Sequence, residues 1–304
     1  MARVRALWRA TRRRADSWRV VLAATMLVVF AASGPLWLGL WLSRDATTAG
    51  PRQVGEIAAL FDRHGYRLGA VADGGAAVPR IFVARLPRDW ADLARVAARK
   101  RMFTKLLLPI VLRANEGISN DRRRLRRVAA RLAAGTALTR NERGWLDDLA
   151  AAYKTDPRDP RALLLRVDGV PPSLAVAQAA VESGWGTSRF AAEGNALYGQ
   201  WIEEGPQGMV PASREPGRTY AIQRFESLSA SVEAYLRNLN THRAYRAFRR
   251  ARAMQRRAGG VVRGAPLAPE LRAYSQDGMK YVQTILAIIE KNGLDALDRT
   301  TLAP

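Results

Sequence analysis

The segment PPSLAVAQAAVESGWGTSRFAAEGNALYGQW, residues 171–201, contains the clearest structural pattern of the chain. Leu174, Ala177 and Val181 recur at the i, i+3 and i+7 spacing of one apolar helix face, and two leading prolines suit the first turn of a helix. Glycines follow within one turn of Glu182 and are typical of a helix end. The pattern predicts a helix with one buried face that ends just after a carboxyl side chain.

Glu182 is predicted to keep its proton near neutral pH. The negative end of the helix dipole and the apolar ring of Trp185 both disfavour the charged carboxylate. Lysozyme pairs a glutamic acid with a tryptophan in the same way, and there the glutamic acid is the proton donor. The alternative is a solvated glutamate ahead of a glycine cap, as is common near helix ends.

The run AQAAVESGWGTSRFAAEGNALYGQW resembles the glucosaminidase domain of bacterial cell-wall hydrolases, glycoside hydrolase family 73, and most closely its membrane-associated Bax-type branch. The likeness continues through residues 220–225 and VEAYLRNLNTHRAYRAFR, and it reaches back to IFVARLPRDW and LLLPIVLRANE. It covers roughly residues 81–293. The matching glutamate of that family is the catalytic acid, so the resemblance implies this role for Glu182.

The cysteine and histidine content limits which catalytic groups and metal sites the chain could contain. Cysteine is absent, which excludes disulfides, a thiolate nucleophile and cysteine-ligated zinc. Only His64 and His242 could act as imidazole ligands. We therefore expect neither a metal ion nor another cofactor.

The net charge of +22 and the arginine-rich stretches at 122–131 and 243–257 raise the possibility of nucleic-acid binding. No zinc-finger, RRM or homeodomain signature accompanies these stretches, so we expect no nucleic-acid partner. Solvated helix faces are the simpler interpretation. Attraction to anionic wall polymers or lipid headgroups is an alternative.

The N-terminal region has the pattern of a membrane anchor. Seven arginines and a single acid occur among residues 1–19, and residues 20–42 follow without a charge. Such an apolar run spans a hydrocarbon core of about 30 Å, and the arginines should stay in the cytoplasm. The sequence predicts a single-pass inner-membrane protein with its catalytic domain in the periplasm. The alternative, a cleaved signal peptide, would have a shorter apolar region.

The predicted fold class is α+β and mostly α: a lysozyme-like helical domain with a small β-hairpin lobe, preceded by a helical region and the transmembrane helix. The hairpin is expected from residues 197–201 and 219–225. Two prolines near residue 156 indicate a boundary. The predicted organisation is a cytoplasmic basic tail (1–19), a transmembrane helix (20–42), a tether and short helix (43–78), a helical flanking region (79–156) and the catalytic domain (157–297).

Two local signals give finer expectations for the flanking region. Asp89 is predicted to cap a long helix, and Thr139 with Glu142 has the spacing of a capping box. This region either supports a substrate groove or is a helical scaffold without a binding role.

Glycosidic cleavage needs a proton donor and a second group that activates water or stabilises the sugar cation. The sequence does not choose among three hairpin carboxylates for the second role: Glu203, Glu204 and Glu215. In the other scheme the N-acetyl group of the substrate takes this role. The segment AYSQDGMKYVQTI then adds Tyr274, because it resembles a tyrosine-containing segment that lies near the acid in the family; a core tyrosine is the alternative.

A saccharide groove needs aromatic platforms beside amide and hydroxyl groups. Each candidate near Glu182 in sequence could instead be an ordinary core residue. The predicted substrate-binding residues are Ser183, Trp185, Asn195, Tyr198, Gln200, Trp201 and Tyr220.

These observations predict a membrane-anchored peptidoglycan hydrolase that cleaves glycan strands as an endo-β-N-acetylglucosaminidase. One alternative is a muramidase or lytic transglycosylase on the same fold. Another is a wall-binding or morphogenetic protein without activity. Peptidoglycan glycan strands and the inner membrane are the expected partners, and nothing in the sequence indicates an oligomeric state.

Overall fold

The computed structural model describes residues 47–49, 53–203, 205–212, 214–215 and 217–304. The predicted basic tail, the transmembrane helix at 20–42 and Glu204 lie outside these residues. Within them, no helix combines the length and the apolar character needed to cross a membrane. The described residues form two compact units, a helical unit (47–199 with 224–304) and a sheet unit (200–223).

The helical unit begins with a short parallel pair of strands. Strand β1 (Thr47–Ala49) lies beside β2 (Ile81–Val83), so three residues of the predicted tether are part of a sheet. Short 3-10 helices occur at Trp90–Asp92, Arg243–Tyr245, Ala265–Leu271 and Leu294–Arg299. The α-helices are α1 (Val54–Arg63), α2 (Leu68–Ala72), α3 (Val96–Ala133), α4 (Arg140–Ala152), α5 (Pro160–Arg166), α6 (Pro172–Ser183), α7 (Arg189–Gly194), α8 (Leu228–Thr241), α9 (Arg246–Ala258) and α10 (Met279–Lys291).

The sheet unit is a small antiparallel sheet. Its strands β3 (Trp201–Glu203), β4 (Gly208–Met209) and β5 (Tyr220–Gln223) are arranged in the order β3-β5-β4. A side chain at Gly208 would meet the Ala221 methyl group at 2.7 Å, so only glycine lets β4 approach β5 this closely. The predicted α+β class, mostly helical with a small hairpin lobe, is confirmed. The likeness to lysozyme stays a prediction.

Helix α6 is the centre of the helical unit. The sequence predicted one buried face, but residues 172–180 are all buried. Alanines occupy four of these positions, and their small side chains let α3, α10 and the 294–299 segment pack against different sides of the helix. The prediction of a single buried face was therefore wrong, because alanine fits a helix that is covered on every side.

Helix α3 links two hydrophobic cores. Its first half, up to Leu112, contributes to the main core, which also draws on residues 57–90 and 170–297. Its second half forms a smaller core with α4 and α5. Residues on both sides of the predicted boundary near 156 therefore share the main core.

The capping expectations had different outcomes. The capping box at the start of α4 is confirmed, since Thr139 and Glu142 each bond the backbone N–H of the other. Helix α3 begins at Val96, however, and Asp89 does not cap it. The Asp89 carboxylate instead accepts a 2.8 Å hydrogen bond from the Val54 N–H, at the first residue of α1.

A buried charge cluster contradicts part of the prediction for the arginine-rich stretches. Arg249 and Arg252 on α9 were expected on a solvated face, but they are 4% and 0% exposed. The Arg252 guanidinium donates to the carbonyls of Leu165, Asp168 and Gly169 at 2.9–3.1 Å. These bonds tie α9 to the segment that joins α5 and α6.

Asp168 is the anion of this cluster. Its carboxylate is buried and accepts two hydrogen bonds from Arg256, at 2.6 and 2.8 Å. Arg122 and Arg252 lie 3.7 and 3.8 Å from the same carboxylate. One buried negative charge therefore serves three guanidinium groups.

We expect Asp168→Asn to destabilise the fold by about 3–5 kcal/mol, because the fully buried Arg252 would lose its counter-charge. Urea unfolding measures this loss. The matched control is Asp295→Asn, which breaks a half-exposed ion pair with Arg263 and should cost about 1 kcal/mol or less. Equal losses for the two variants would contradict a special role for the buried charge.

Candidate active site

Helix α6 places Glu182 at the edge of the main core. The helix begins at Pro172, where a missing N–H costs nothing, and ends at Ser183 before Gly184 in the left-handed region. Ser183 stabilises this end: its hydroxyl donates to the Ala179 carbonyl and accepts from the Gly186 N–H. These two bonds hold the backbone at the end of α6, and Glu182 is the residue just before the last one of the helix.

The turn after α6 has positive φ angles at three successive residues: 59° at Gly184, 59° at Trp185 and 81° at Gly186. Trp185 is not a glycine, so this conformation carries strain of about 1 kcal/mol or more. The Trp90 indole N–H donates to the Trp185 carbonyl at 2.9 Å, and the Trp185 ring packs edge-on against Phe103 at 5.7 Å. These two contacts hold the turn in place.

Glu182 is half-buried, and burial raises the pKa of its carboxyl group from 4.5 to about 7. A hydrogen bond from the Tyr281 hydroxyl lowers this pKa, but by less than burial raises it. Gly199 lies beside the carboxyl group, where a side chain would come within 3.4 Å of Oε2. The prediction of a neutral carboxylic acid near pH 7 has a physical basis in this environment.

A chain of buried polar groups leads to the acid. The Tyr235 hydroxyl donates to the Gln178 side-chain oxygen at 2.6 Å, and the Gln178 amide nitrogen donates to the Tyr281 hydroxyl at 2.9 Å. Tyr281 then donates to Glu182. Each group is donor to the next, so the Tyr281 proton is directed at the carboxyl group.

Stacked tyrosines surround this chain. Tyr198 stacks on Tyr235 with ring centroids 3.9 Å apart, and Tyr274 stacks on Tyr281 at 5.6 Å. Burial raises the pKa of Tyr235, Tyr274 and Tyr281, and the charge of Glu182 raises each further. All three hydroxyls therefore stay protonated at neutral pH, as hydrogen-bond donors must.

Burial raises the pKa of Tyr274, and the charge of Glu182 raises it further. The Tyr274 hydroxyl itself donates to the Tyr198 carbonyl at 3.1 Å. Sequence reasoning missed Tyr281, Gln178 and Tyr235. A signal was present for Gln178, a lone amide in an apolar run and one helical turn before Glu182. Tyr281 belongs to the same quoted segment as Tyr274, and only the fold distinguishes them.

Three predicted substrate-binding residues are enclosed by the protein. Ser183 is committed to the turn, the Asn195 amide donates to the Phe225 carbonyl at 2.9 Å, and Tyr198 is covered by Tyr235. Their side chains are at most 1% exposed, so contact with a saccharide is not available to them here. Trp185 is half-buried, and Lys100 lies over its ring at 5.1 Å.

The remaining candidates belong to the sheet unit. Trp201 is 44% exposed and meets Tyr220 edge-on at 4.6 Å, and the Gln200 carbonyl accepts from the Gln223 N–H. Glu203 accepts a hydrogen bond from the Thr219 hydroxyl, and Glu215 lies 3.8 Å from Arg218. Among the described residues, no group of three histidine or acidic side chains has the arrangement of a metal site.

Comparisons with known proteins agree with the resemblance. Residues 163–294 match the family model for mannosyl-glycoprotein endo-beta-N-acetylglucosaminidase. Protein bax of Escherichia coli (strain K12) is 34% identical over 200 residues, which cover 64% of this chain and 70% of that protein. The catalytic domain of the autolysin Auto from Listeria monocytogenes aligns with a TM-score of 0.33 and 16% identity, over 57% of this chain and 96% of that domain.

The family match defines a glycoside hydrolase. The chain belongs to the glucosaminidase family, in its Bax-type branch.

We expect Tyr281→Phe to raise the pKa of Glu182 further above 7, because the carboxylate loses its hydrogen-bond donor. Carbon-13 NMR titration of the carboxyl carbons measures this shift, with Glu182→Gln identifying the resonance. Tyr198→Phe is the control, since the buried Tyr198 hydroxyl has no partner within the described part of the chain. A similar shift in both variants would contradict the assigned hydrogen bond.

Glu182→Gln should stabilise the protein more at pH 8 than at pH 5. The folded-state pKa of about 7 exceeds the ordinary 4.5, so wild-type stability falls as pH rises between these values. The variant has no charge to bury and avoids this loss, which is on the order of 2 kcal/mol for a partly exposed group. Thermal unfolding of wild type and variant at pH 5 and pH 8 measures the stability gain at each pH. An equal gain at both would contradict the raised pKa.

Proposed function

We propose that this protein hydrolyses the glycan strand of peptidoglycan at the bond that follows N-acetylglucosamine, with Glu182 as the general acid. The observation that carries the proposal is the carboxyl group of Glu182, half-buried and with a pKa raised to about 7. A carboxylic acid that is about half protonated at neutral pH can give its proton to a glycosidic oxygen.

The proton transfer needs only the groups around α6. The Glu182 proton passes to the bridging oxygen, the bond from that oxygen to the anomeric carbon breaks, and the leaving sugar departs as an alcohol. The Tyr281 hydroxyl then stabilises the carboxylate that remains. Water later gives its hydroxyl to the anomeric carbon, and its proton restores the acid.

Two kinds of group could activate water or stabilise the sugar cation. Either the substrate's N-acetyl group assists the reaction, or a hairpin carboxylate does so, with Glu215 our choice and Glu203 and Glu204 the alternatives. Tyr274 acts on the Tyr198 backbone through its hydroxyl, so we assign it a positioning role. The exposed Trp201 and the half-buried Tyr220 offer an aromatic platform for a sugar ring.

We further propose that residues 20–42 anchor the protein in the inner membrane and leave the catalytic domain in the periplasm. The support is the charge-free run with arginines before it. External protease added to spheroplasts should degrade the catalytic domain. Protection of that domain in intact spheroplasts would reject this orientation.

We expect Glu182→Gln to lower peptidoglycan hydrolysis by about 10²–10⁴-fold, because the amide has no acidic proton to donate. Gel clearing and mass spectrometry of the digest measure this loss and the product ends. The control is Glu193→Gln, an exposed glutamate paired with Arg189, which should leave clearing unchanged.

The product ends separate the alternatives. Reducing N-acetylglucosamine ends support the proposal, whereas reducing or anhydro N-acetylmuramic acid ends identify a muramidase or a lytic transglycosylase. Equal clearing by wild type and Glu182→Gln rejects the acid assignment. Binding to peptidoglycan without clearing by either protein supports a wall-binding protein instead.

A further inference from the structure

One side of α9 and the 3-10 turn before it form an open groove of about 630 Å³. Arg243, Arg246 and Arg250 line the groove at helical spacing, and short alanine side chains between them leave room for a ligand. The exposed Met254 lies one turn further along α9. A volume of this size suits a small peptide or a few sugar units.

The charge of the groove is not balanced by the protein. On the buried side of α9, Arg252 and Arg256 share the carboxylate of Asp168. The groove arginines are exposed, and within the described residues no carboxylate pairs with any of the three. Arg246 repels Arg166 and Arg249, whose pKa values it lowers. An anionic ligand would relieve this repulsion.

Guanidinium groups favour carboxylates because the planar fork donates two parallel hydrogen bonds. One acidic side chain, Glu270, also lines the groove and forms no ion pair with its arginines. A phosphodiester polymer would have no cationic group to pair with Glu270. A ligand with several carboxylates and one ammonium group fits both kinds of side chain.

A row of tyrosine rings connects the groove with the proposed acid. Tyr245 belongs to the same 3-10 turn as Arg243, and its ring lies 6.0 Å from that of Tyr274. Tyr274 stacks on Tyr281, the hydrogen-bond donor to Glu182. A ligand held by Arg243 and Arg246 therefore lies a few rings away from the site where the glycan would be cleaved.

We propose that this groove binds the peptide stems carried by the glycan substrate. A stem is a short peptide with several carboxylates and, where it contains a diamino acid, one free amine, which matches three arginines and one glutamate. The inference rests on the proposed peptidoglycan substrate and adds that stem-bearing glycan is preferred to bare glycan.

The test uses the full-length protein in detergent with two substrates: intact sacculi, and the same glycan after an amidase has removed the stems. Wild type should have a kcat/KM about ten-fold higher on the stem-bearing glycan. The double variant Arg246→Gln with Arg250→Gln should lose this preference through a higher KM, and keep wild-type rates on bare glycan. Arg257→Gln is the matched control, an exposed arginine of α9 outside the groove.

Binding of a synthetic stem peptide to Glu182→Gln protein, measured by calorimetry, tests the ammonium contact. Adding the double arginine change should weaken binding about ten-fold. Acetylating the peptide amine should weaken binding to protein that has Glu270, and have little effect once Glu270→Gln is added. Equal effects of acetylation in both backgrounds would contradict the contact.

The failures of the two proposals can be distinguished. Equal cleavage of both substrates by wild type and the double variant overturns the groove assignment and leaves the hydrolase proposal intact. If wild type cleaves neither substrate, the hydrolase proposal is overturned. The peptide-binding measurement then tests the groove assignment by itself. Loss of binding to anionic phospholipid vesicles in the double variant, with unchanged peptide binding, would make the groove a lipid site instead and reject the proposal.

Discussion

The site depends on the burial of the Glu182 carboxyl group at the end of α6. Burial raises its pKa, and the one polar contact that opposes this effect is a neutral hydroxyl, that of Tyr281. A nearby guanidinium would stabilise the carboxylate and return the pKa toward 4.5. In a chain with 49 lysines and arginines, no cation of the described residues contributes to the shift at Glu182. The excess positive charge is kept away from the acid.

That charge has a structural use elsewhere in the helical unit. Arg249 donates to the carbonyls of Leu239 and His242, at the C-terminal end of α8. Arg122 and Arg252 donate to carbonyls at the end of α5 and just after it. Helix C-termini leave carbonyl groups without partners and carry partial negative charge, so these arginines cap helices other than their own. The net charge alone would have suggested a nucleic-acid partner. Some of the arginines that contribute to it instead bind carbonyl groups at helix ends.

The sequence was sufficient for features that depend on neighbouring residues. The extent of α6, the capping box at Thr139 and the second hairpin strand follow from local spacing and turn chemistry. The first hairpin strand was predicted at 197–201 but lies at 201–203. Features that depend on distant segments were not predictable. Periodicity could not show that an alanine-rich helix is covered on all sides, and it could not separate the solvated arginines of α9 from Arg249 and Arg252. Tyr281 was missed for the same reason, because only the packing of α10 on α6 brings its hydroxyl to Glu182.

The turn after α6 explains why the preceding region belongs to the functional part of the protein. Trp185 adopts a conformation that a non-glycine residue avoids, and Gly186 leaves no room for a side chain because the Trp90 ring is 2.7 Å from where one would begin. The stabilising partners, Trp90 and Phe103, both come from the region predicted to flank the catalytic domain. Loosening those contacts would release the strained turn and with it the end of α6. The position of the Glu182 side chain therefore depends on Trp90 and Phe103, which lie 92 and 79 positions before it in the chain.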